Sequence, residues 1–291
     1  MKPARFAYEA PTTLEGALKS LAAAGDGGKV IAGGQSLAPM LNMRLARPDR
    51  LIDINAITEL GEIAIDGDQL SIGALVRHDA LAHSELVKRH CPLLAHAAET
   101  IGHYAIRKRG TIGGSLAHAD PAAQLPLVAL ALDAEMDIRS ARGSRVVAAR
   151  DFFVSVFSTA LDPDELLVKV KIPLLPAGGS AGFRLFNRRA GDFAIVSVAA
   201  TLLRGSDDKI AGLRLAIGGI GPVPVRAEHL AVREASEPFS EHWSARVAAT
   251  VAGAIDIEEN ERAPVAFRKE LVAALTREAL DEALEKACCG S

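Results

Sequence analysis

The sequence predicts an α+β protein built in two parts, and three observations carry that expectation. Up to about Ile172, short apolar runs alternate with stretches of helical spacing, a pattern α/β in character. Beyond it, three strand-like runs come first and two helices follow, the order of an α+β domain with an antiparallel sheet. Between them, Pro173-Leu174-Leu175-Pro176-Ala177-Gly178-Gly179-Ser180 combines helix breakers with flexible residues and marks the boundary. The chain has 291 residues, 49% of them hydrophobic, and a mean hydropathy of +0.18, so it can bury sizeable cores and reads as globular.

The elements follow in chain order. Thr12-Thr13-Leu14-Glu15 has the form of a capping box, residues 14–21 carry helical apolar spacing, and Gly25 marks the exit. Val30-Ile31-Ala32 is a short strand running into Gly33-Gly34, and residues 37–45 read as a helix begun after Ser36. Residues 51–54 form another strand. Ile63-Ala64-Ile65, Asp66-Gly67-Asp68 and Leu70-Ser71-Ile72 read as a tight hairpin. Helices over 78–88 and 92–101 lead to the cationic run Arg107-Lys108-Arg109-Gly110 and a second glycine pair, Gly113-Gly114. A helix over 125–132 and strands near 135–138, 145–148 and 166–172 complete the first part. The second part holds strand-like runs at 183–188, 195–203 and 210–217, then helices over 243–255 and 267–286.

Composition removes several classes of function. A net charge of −3 and no dense Lys/Arg stripe exclude the basic field that nucleic acid requires. The amino terminus lacks an apolar signal region and no apolar stretch reaches membrane-spanning length, so no membrane span is expected and the cytoplasm is the expected location. The three cysteines, Cys91, Cys288 and Cys289, cannot supply a four-thiolate cluster, and no metal ligand set converges. Cys91 reads as a small buried side chain, and Cys288 and Cys289 as an exposed tail pair. His78, His83, His90, His96, His103 and His118 form no Ser/His/Asp arrangement, so no catalytic residue is assigned. His103 and His118 flank the second glycine pair and could donate to phosphate or sugar.

Ala32-Gly33-Gly34-Gln35-Ser36 and Thr111-Ile112-Gly113-Gly114-Ser115 are the most informative strings. A Gly-Gly step admits positive φ and lets a ligand touch bare backbone, and successive N–H groups there form an anion-binding concavity. Two such loops suggest a diphosphate gripped from both sides, with the hydroxyls of Ser36, Thr111 and Ser115 as further donors. The bland alternative is two ordinary tight turns. Neither the Gly-x-Gly-x-x-Gly dinucleotide fingerprint nor the phosphate-loop pattern is present.

The strings Ala32-Gly33-Gly34-Gln35-Ser36-Leu37 followed by Pro39-Met40, Ile106 through Pro121, and Arg188-Arg189-Ala190-Gly191-Asp192-Phe193-Ala194 occur in an order and spacing that resemble the flavin-carrying medium subunit of the molybdenum hydroxylases. That family includes carbon monoxide, nicotine and xanthine dehydrogenases, and the resemblance covers nearly the whole chain. It implies an α+β fold with a two-part FAD-binding domain of the vanillyl-alcohol-oxidase (PCMH) type over 1–175, divided at about 1–56 and 57–175. A carbon monoxide dehydrogenase flavoprotein C-terminal domain with an antiparallel sheet follows over 180–286. FAD is the implied cofactor, touched by Ala32, Gly33, Gly34, Gln35, Ser36 and Leu37, and by Thr111, Ile112, Gly113, Gly114 and Ser115. Asp120 is placed to accept from sugar or ribityl hydroxyls, or else caps the next helix. Phe193 is placed beside the isoalloxazine, or else packs in the core.

Three positions depart from the family pattern. Phe193 stands where some relatives have tyrosine, so no hydroxyl can bond there; Gln124 stands where relatives commonly carry an acid; Lys108 replaces a frequent asparagine. The implied function is oxidoreductase electron transfer: a large molybdopterin subunit oxidises substrate, a small subunit relays electrons through two [2Fe–2S] clusters, and FAD in this subunit delivers them to an external acceptor. The implied assembly is a dimer of heterotrimers. The alternatives are a self-contained FAD-dependent oxidoreductase and a non-redox nucleotide-binding assembly module. If bare glycine backbone receives the cofactor, Gly113→Val or Gly114→Val leaves a folded but colourless protein; full FAD occupancy in either variant would count against the site.

Overall fold

The computed structural model describes residues 2–205, 209–236, 240 and 242–289; the side chains of Cys288 and Cys289, expected as an exposed pair, lie outside the described set. Strands β1 (Ala7–Glu9), β2 (Gly28–Ile31) and β3 (Arg50–Asp53) form a parallel sheet in the order β1-β3-β2. The helix Leu14–Ala24 joins the first two. Its N-cap is Thr13, whose hydroxyl accepts the Gly16 N–H at 3.1 Å, and Glu15 pairs with Lys19 instead of closing a capping box on Thr12. Gly25 ends the helix at φ +51°. Ala17, Leu18 and Leu21 bury one helical face against Ile52, Ile54 and Leu60.

The second sheet corrects the α/β reading of the first part. Strands β4 (Ile63–Asp66), β5 (Gln69–Gly73), β6 (Glu135–Ser140) and β7 (Gly143–Ala148) are followed by a small hairpin of β8 (Phe153–Ser155) and β9 (Ser158–Thr159), and then by β10 (Leu166–Pro173). The large sheet runs β4-β5-β10-β6-β7 and is antiparallel throughout. Tight hairpins join β4 to β5 and β6 to β7, which forces antiparallel pairing; only the strands separated by long crossovers in the first sheet are parallel. The helix expected over 78–88 is two, His78–His83 and Glu85–His90. Ser84 between them is extended and its hydroxyl caps the Val87 N–H at 3.4 Å. Pro92–Glu99 and Gln124–Ala131 complete the main helical layer, and every residue of Gln124–Ala131 is buried, which is why it shows no amphipathic stripe.

The third sheet, β11 (Gly179–Phe186), β12 (Val196–Arg204), β13 (Ile210–Gly218) and β14 (Val225–Arg226), is an antiparallel meander in chain order. Both its faces are covered. Val196, Val198, Ala200, Leu215 and Ile217 face the helices Trp243–Ala254 and Val265–Cys289, while Ala181, Phe183, Ala199 and Ala216 join the core of the preceding part, as the period of two requires. Asp133 pairs with Arg214 at 2.7 Å and Arg226 at 2.6 Å, and the His96 and Phe183 rings meet edge-on at 5.6 Å. The segment expected as a flexible linker is therefore a short packed turn: the Leu174 N–H donates to the Asp68 carbonyl at 2.9 Å, and Leu174 and Leu175 pack on the large core.

At Gly182 in β11 the long final helix comes so close that a Cβ would collide with the Ala279 carbonyl oxygen. Gly182→Ala should destabilise the protein by about 1–3 kcal/mol through overpacking. Urea unfolding measures this, and an unchanged midpoint would show that the helix can retreat freely.

Candidate cofactor site

The first glycine string leaves β2 as an open loop. Gly34 has φ +69°, where a side chain is strained, and the N–H groups of Gly34, Gln35 and Ser36 have no acceptor among the described residues. The Gln35 side chain folds back, its Nε2 donating to the Gly33 carbonyl at 3.0 Å. The helix expected over 37–45 is the six-residue Leu37–Asn42, too short to contribute a large dipole. Donors on this side are thus loop amides and the Ser36 hydroxyl.

The second string is not a loop. Thr111 is the N-cap of the helix Ile112–His118, its hydroxyl accepting the Gly114 N–H at 3.1 Å, and both glycines lie in the first turn with negative φ. Residues 110–113 are stapled to 74–78: the N–H of His78 donates to Gly110 O at 3.0 Å, that of Ile112 to Val76 O at 3.0 Å, and that of Gly113 to Ala74 O at 2.9 Å. The amides expected to be bare are therefore already bonded. Gly113 is glycine because a Cβ would lie 2.8 Å from the Ala74 carbonyl oxygen, so valine there disrupts the fold, contrary to the sequence expectation. Gly114 is exposed and Ser115 half-buried, and together they form the accessible edge of this string.

The structure does bring the two strings together. A Cβ on Gly33 would overlap the Arg109 carbonyl, with Gly110 Cα at 2.9 Å, so the backbones of the two segments are in direct contact. A polar network ties the junction: Asn55 Nδ2 donates to Ala32 O and Asp53 Oδ1, both at 2.7 Å, while Arg77 donates to Asn55 Oδ1 at 2.7 Å and to Arg109 O. The Tyr8 hydroxyl donates to Asp53 Oδ2 at 2.7 Å. Burial works against ionisation of Asp53, but these hydrogen bonds and the Arg77 charge still hold its carboxyl below the usual range.

The third string, in the β11–β12 loop, reaches the first part at two points. Gly191, at φ +88°, packs against the Gly102 carbonyl, beside a cleft of ≈ 400 Å³ lined by His103, Tyr104, Arg107 and Asn187. Asp120 and Phe193 meet at Arg262, whose guanidinium lies 5.9 Å from the Phe193 ring centre, 3.8 Å from the Asp120 carboxylate, and donates to the Ala194 carbonyl at 3.1 Å.

Comparison with known proteins identifies the family. Residues 4–175 match the family described as the FAD binding domain in molybdopterin dehydrogenase, and 181–283 match the CO dehydrogenase flavoprotein C-terminal domain. The chain belongs to the FAD-binding medium subunits of the molybdenum hydroxylase family. It is 38% identical over 287 residues to subunit alpha of the 6-hydroxypseudooxynicotine dehydrogenase complex of Paenarthrobacter nicotinovorans, covering 99% of this chain and 97% of that one. It is 33% identical to the carbon monoxide dehydrogenase medium chain of Hydrogenophaga pseudoflava, covering 97% and 98%. The solved structure of quinoline 2-oxidoreductase from Pseudomonas putida 86 superposes with a TM-score of 0.93 at 33% identity, covering 99% of both chains. Medium subunits of this kind are parts of oxidoreductase complexes, with an α+β fold and a FAD-binding domain.

Within this medium subunit, Asp120 is buried and its Oδ1 accepts the Ala122 N–H at 2.8 Å, a turn ahead of the helix Gln124–Ala131, whose N-cap Ala123 has no side-chain cap; the capping alternative weighed for Asp120 from sequence is therefore not what it does. Phe193 is 52% exposed and so is not a core residue. Gln124 is buried in its helix, and Lys108 is taken up by Asp79 at 2.7 Å. Arg107 donates to the Ile101 and Gly102 carbonyls, while Arg109 is exposed, lays its main-chain carbonyl against Gly33, and carries its charge close enough to lower the Arg77 pKa. His118 stacks on Phe157 at 4.8 Å. The described residues contain no group of three or more potential metal ligands and no helix able to cross a membrane. Sequence reasoning missed Asn55, Arg77 and Arg262, whose only signal is isolated polarity between apolar runs.

It also missed His78. This side chain is buried behind the second string, its Nε2 donating to the Thr111 carbonyl at 2.9 Å and its Nδ1 unpartnered. Burial drives its pKa down to about 4, from an ordinary 6.5. Because the folded value lies below the unfolded one, this neutral histidine contributes fully to stability above pH 6.5, and the contribution falls as pH drops toward 4. The expected loss is about 3 kcal/mol across that window, at roughly 1.4 kcal/mol per pKa unit. His78→Gln should flatten stability against pH between 6.5 and 4 in urea titrations; an equally steep slope in the variant would assign the acid sensitivity elsewhere.

Proposed function

We propose that this chain is the electron outlet of a heteromeric molybdenum hydroxylase, working with a large molybdopterin subunit and a small [2Fe–2S] subunit in a dimer of heterotrimers. The carrying observation is the direct contact between the Gly33 segment and the Arg109–Gly110 backbone, which unites both glycine strings at one junction beside free amides. Those amides and the nearby hydroxyls suit a diphosphate, the chemistry that FAD presents. In this reading residues 1–175, in parts of about 1–56 and 57–175, hold the cofactor, and residues 180–286 close the site from the other side; the assembly works in the cytoplasm.

Bound FAD supplies a two-electron store between the partner's clusters and an external acceptor. The chain's own residues bind and orient. Gly34, Gln35 and Ser36 offer N–H donors on one side, and Gly114 and Ser115 form the opposite edge. Ala32, Gly33 and Leu37 shape the first wall, and Thr111, Ile112 and Gly113 hold the second in place through the staple to 74–78. Phe193 presents an exposed aromatic face held by Arg262, and its lack of a hydroxyl removes any hydrogen bond to the flavin.

Expression with the neighbouring coding sequences should yield a yellow complex containing two unlike partner subunits, read by visible absorption and subunit composition. A chain that takes up no FAD on titration would sink the reading. A chain that purifies alone and oxidises substrate without partners would replace it with the self-contained enzyme.

A further inference from the structure

The glycine junction carries more positive charge than the fold itself uses. Arg77 is half-buried there and makes only neutral contacts, to Asn55 Oδ1 and the Arg109 carbonyl. Arg109, on the same junction, forms no ion pair with a carboxylate among the described residues, and neither does Arg77. The nearest acid in charge terms is Asp53, but both its oxygens are taken, one by Tyr8 and the other by the Asn55 side chain and main-chain N–H. Burial first, and then the charge of Arg109, pull the Arg77 pKa below its ordinary value, against the opposing pull of Asp53. The Asp53 charge offsets part of this, but a partly desolvated guanidinium beside a second one, with no carboxylate in direct contact, is costly unless something else neutralises the pair.

Donor accounting on the second string points the same way. The N–H groups of Ile112, Gly113, Gly114 and Ser115 are bonded to Val76 O, Ala74 O, Thr111 Oγ1 and Thr111 O. They cannot neutralise a diphosphate as the sequence pattern suggested. The charge must come from elsewhere, and Arg77 and Arg109 both belong to the junction where the two strings meet.

We propose that Arg77 and Arg109 form the cationic wall that takes the diphosphate of a dinucleotide, facing the free amides of Gly34, Gln35 and Ser36. Arg77 has a second part in this: through Asn55 it holds the Ala32 carbonyl, and it bonds the Arg109 carbonyl directly, so it clasps the two segments in the position the ligand requires. Planar guanidinium donors suit paired phosphate oxygens better than an ammonium would. This inference rests on the FAD reading above and assigns the charge partner of that cofactor.

The test uses the full chain freed of cofactor, titrated with FAD by flavin fluorescence at several salt concentrations, with inorganic pyrophosphate as competitor. Arg77→Gln and Arg109→Gln should each weaken FAD binding at least tenfold, flatten its salt dependence and reduce competition by pyrophosphate. Arg77→Lys should recover part of the affinity by restoring charge without the fork. Wild-type affinity and salt dependence in both glutamine variants would overturn the inference while leaving the FAD reading intact. A parent chain that binds no FAD would overturn the reading itself. If Arg77→Gln fails to fold, Arg109→Gln decides, because its side chain makes no hydrogen bond that the described fold relies on, and its unfolding temperature verifies an intact chain.

Discussion

Two glycine segments can meet here because Gly33 has no side chain. The missing Cβ lets its backbone rest on the Arg109 carbonyl and Gly110, and any larger residue would drive the β2 loop away from the segment stapled to 74–78. Each wall is anchored to a different core. The first hangs from the parallel sheet and its small cluster around Ile52 and Leu21; the second is fixed through Val76 and Ile112 to the large antiparallel core. A contact between two independently anchored backbones is stiff, because neither wall can shift without disturbing close-packed side chains behind it. Such pre-positioned donors are what anion recognition asks of a protein.

Much of the fold was legible because local chemistry and global structure agree. The hairpin turn at Gly67 has φ +62°, as its Asp-Gly-Asp string suggested, and the meander over 179–226 follows from apolar runs in close succession. The misreadings have specific causes. The 78–88 stretch looked continuous because its apolar spacing survives the break, whereas Ser84 bonds the Val87 N–H and stops the helix. The second glycine string looked like a loop because glycine pairs usually are; here the pressure on Gly113 is the approach of Ala74, a contact far from it in sequence. Asn55 and Arg77 were invisible because each is an ordinary polar residue after a strand, and their meaning comes only from the segment that packs across them.

The glycine strings were thus read correctly as neighbours and incorrectly as equals. The first spends no amide on the fold and the second spends four, a difference that no count of glycines could reveal. It follows from geometry: a segment paired edge to edge with another stretch of chain must satisfy its buried N–H groups, and a segment leaving a strand into a half-exposed loop need not.

The remaining candidate residues, Asp120 and Phe193, are brought together by a different device. Arg268 is fully buried, donates to the carbonyls of Ala263, Gly219 and Glu258, and has no acidic partner among these contacts. Burial lowers its pKa from the ordinary arginine value, and the carbonyl dipoles hold the cation in place. Those carbonyls set the path of the 258–263 loop, which carries Arg262 to Asp120, Phe193 and Ala194. Gly219 closes the circuit, since its N–H donates to Pro121, the residue after Asp120, at 3.1 Å. A core arginine in the last third of the chain thereby positions residues of the first part. The proposed site therefore draws on both halves of the chain, and isolating residues 1–175 would remove the support of Asp120 even though every glycine in both strings stayed in place.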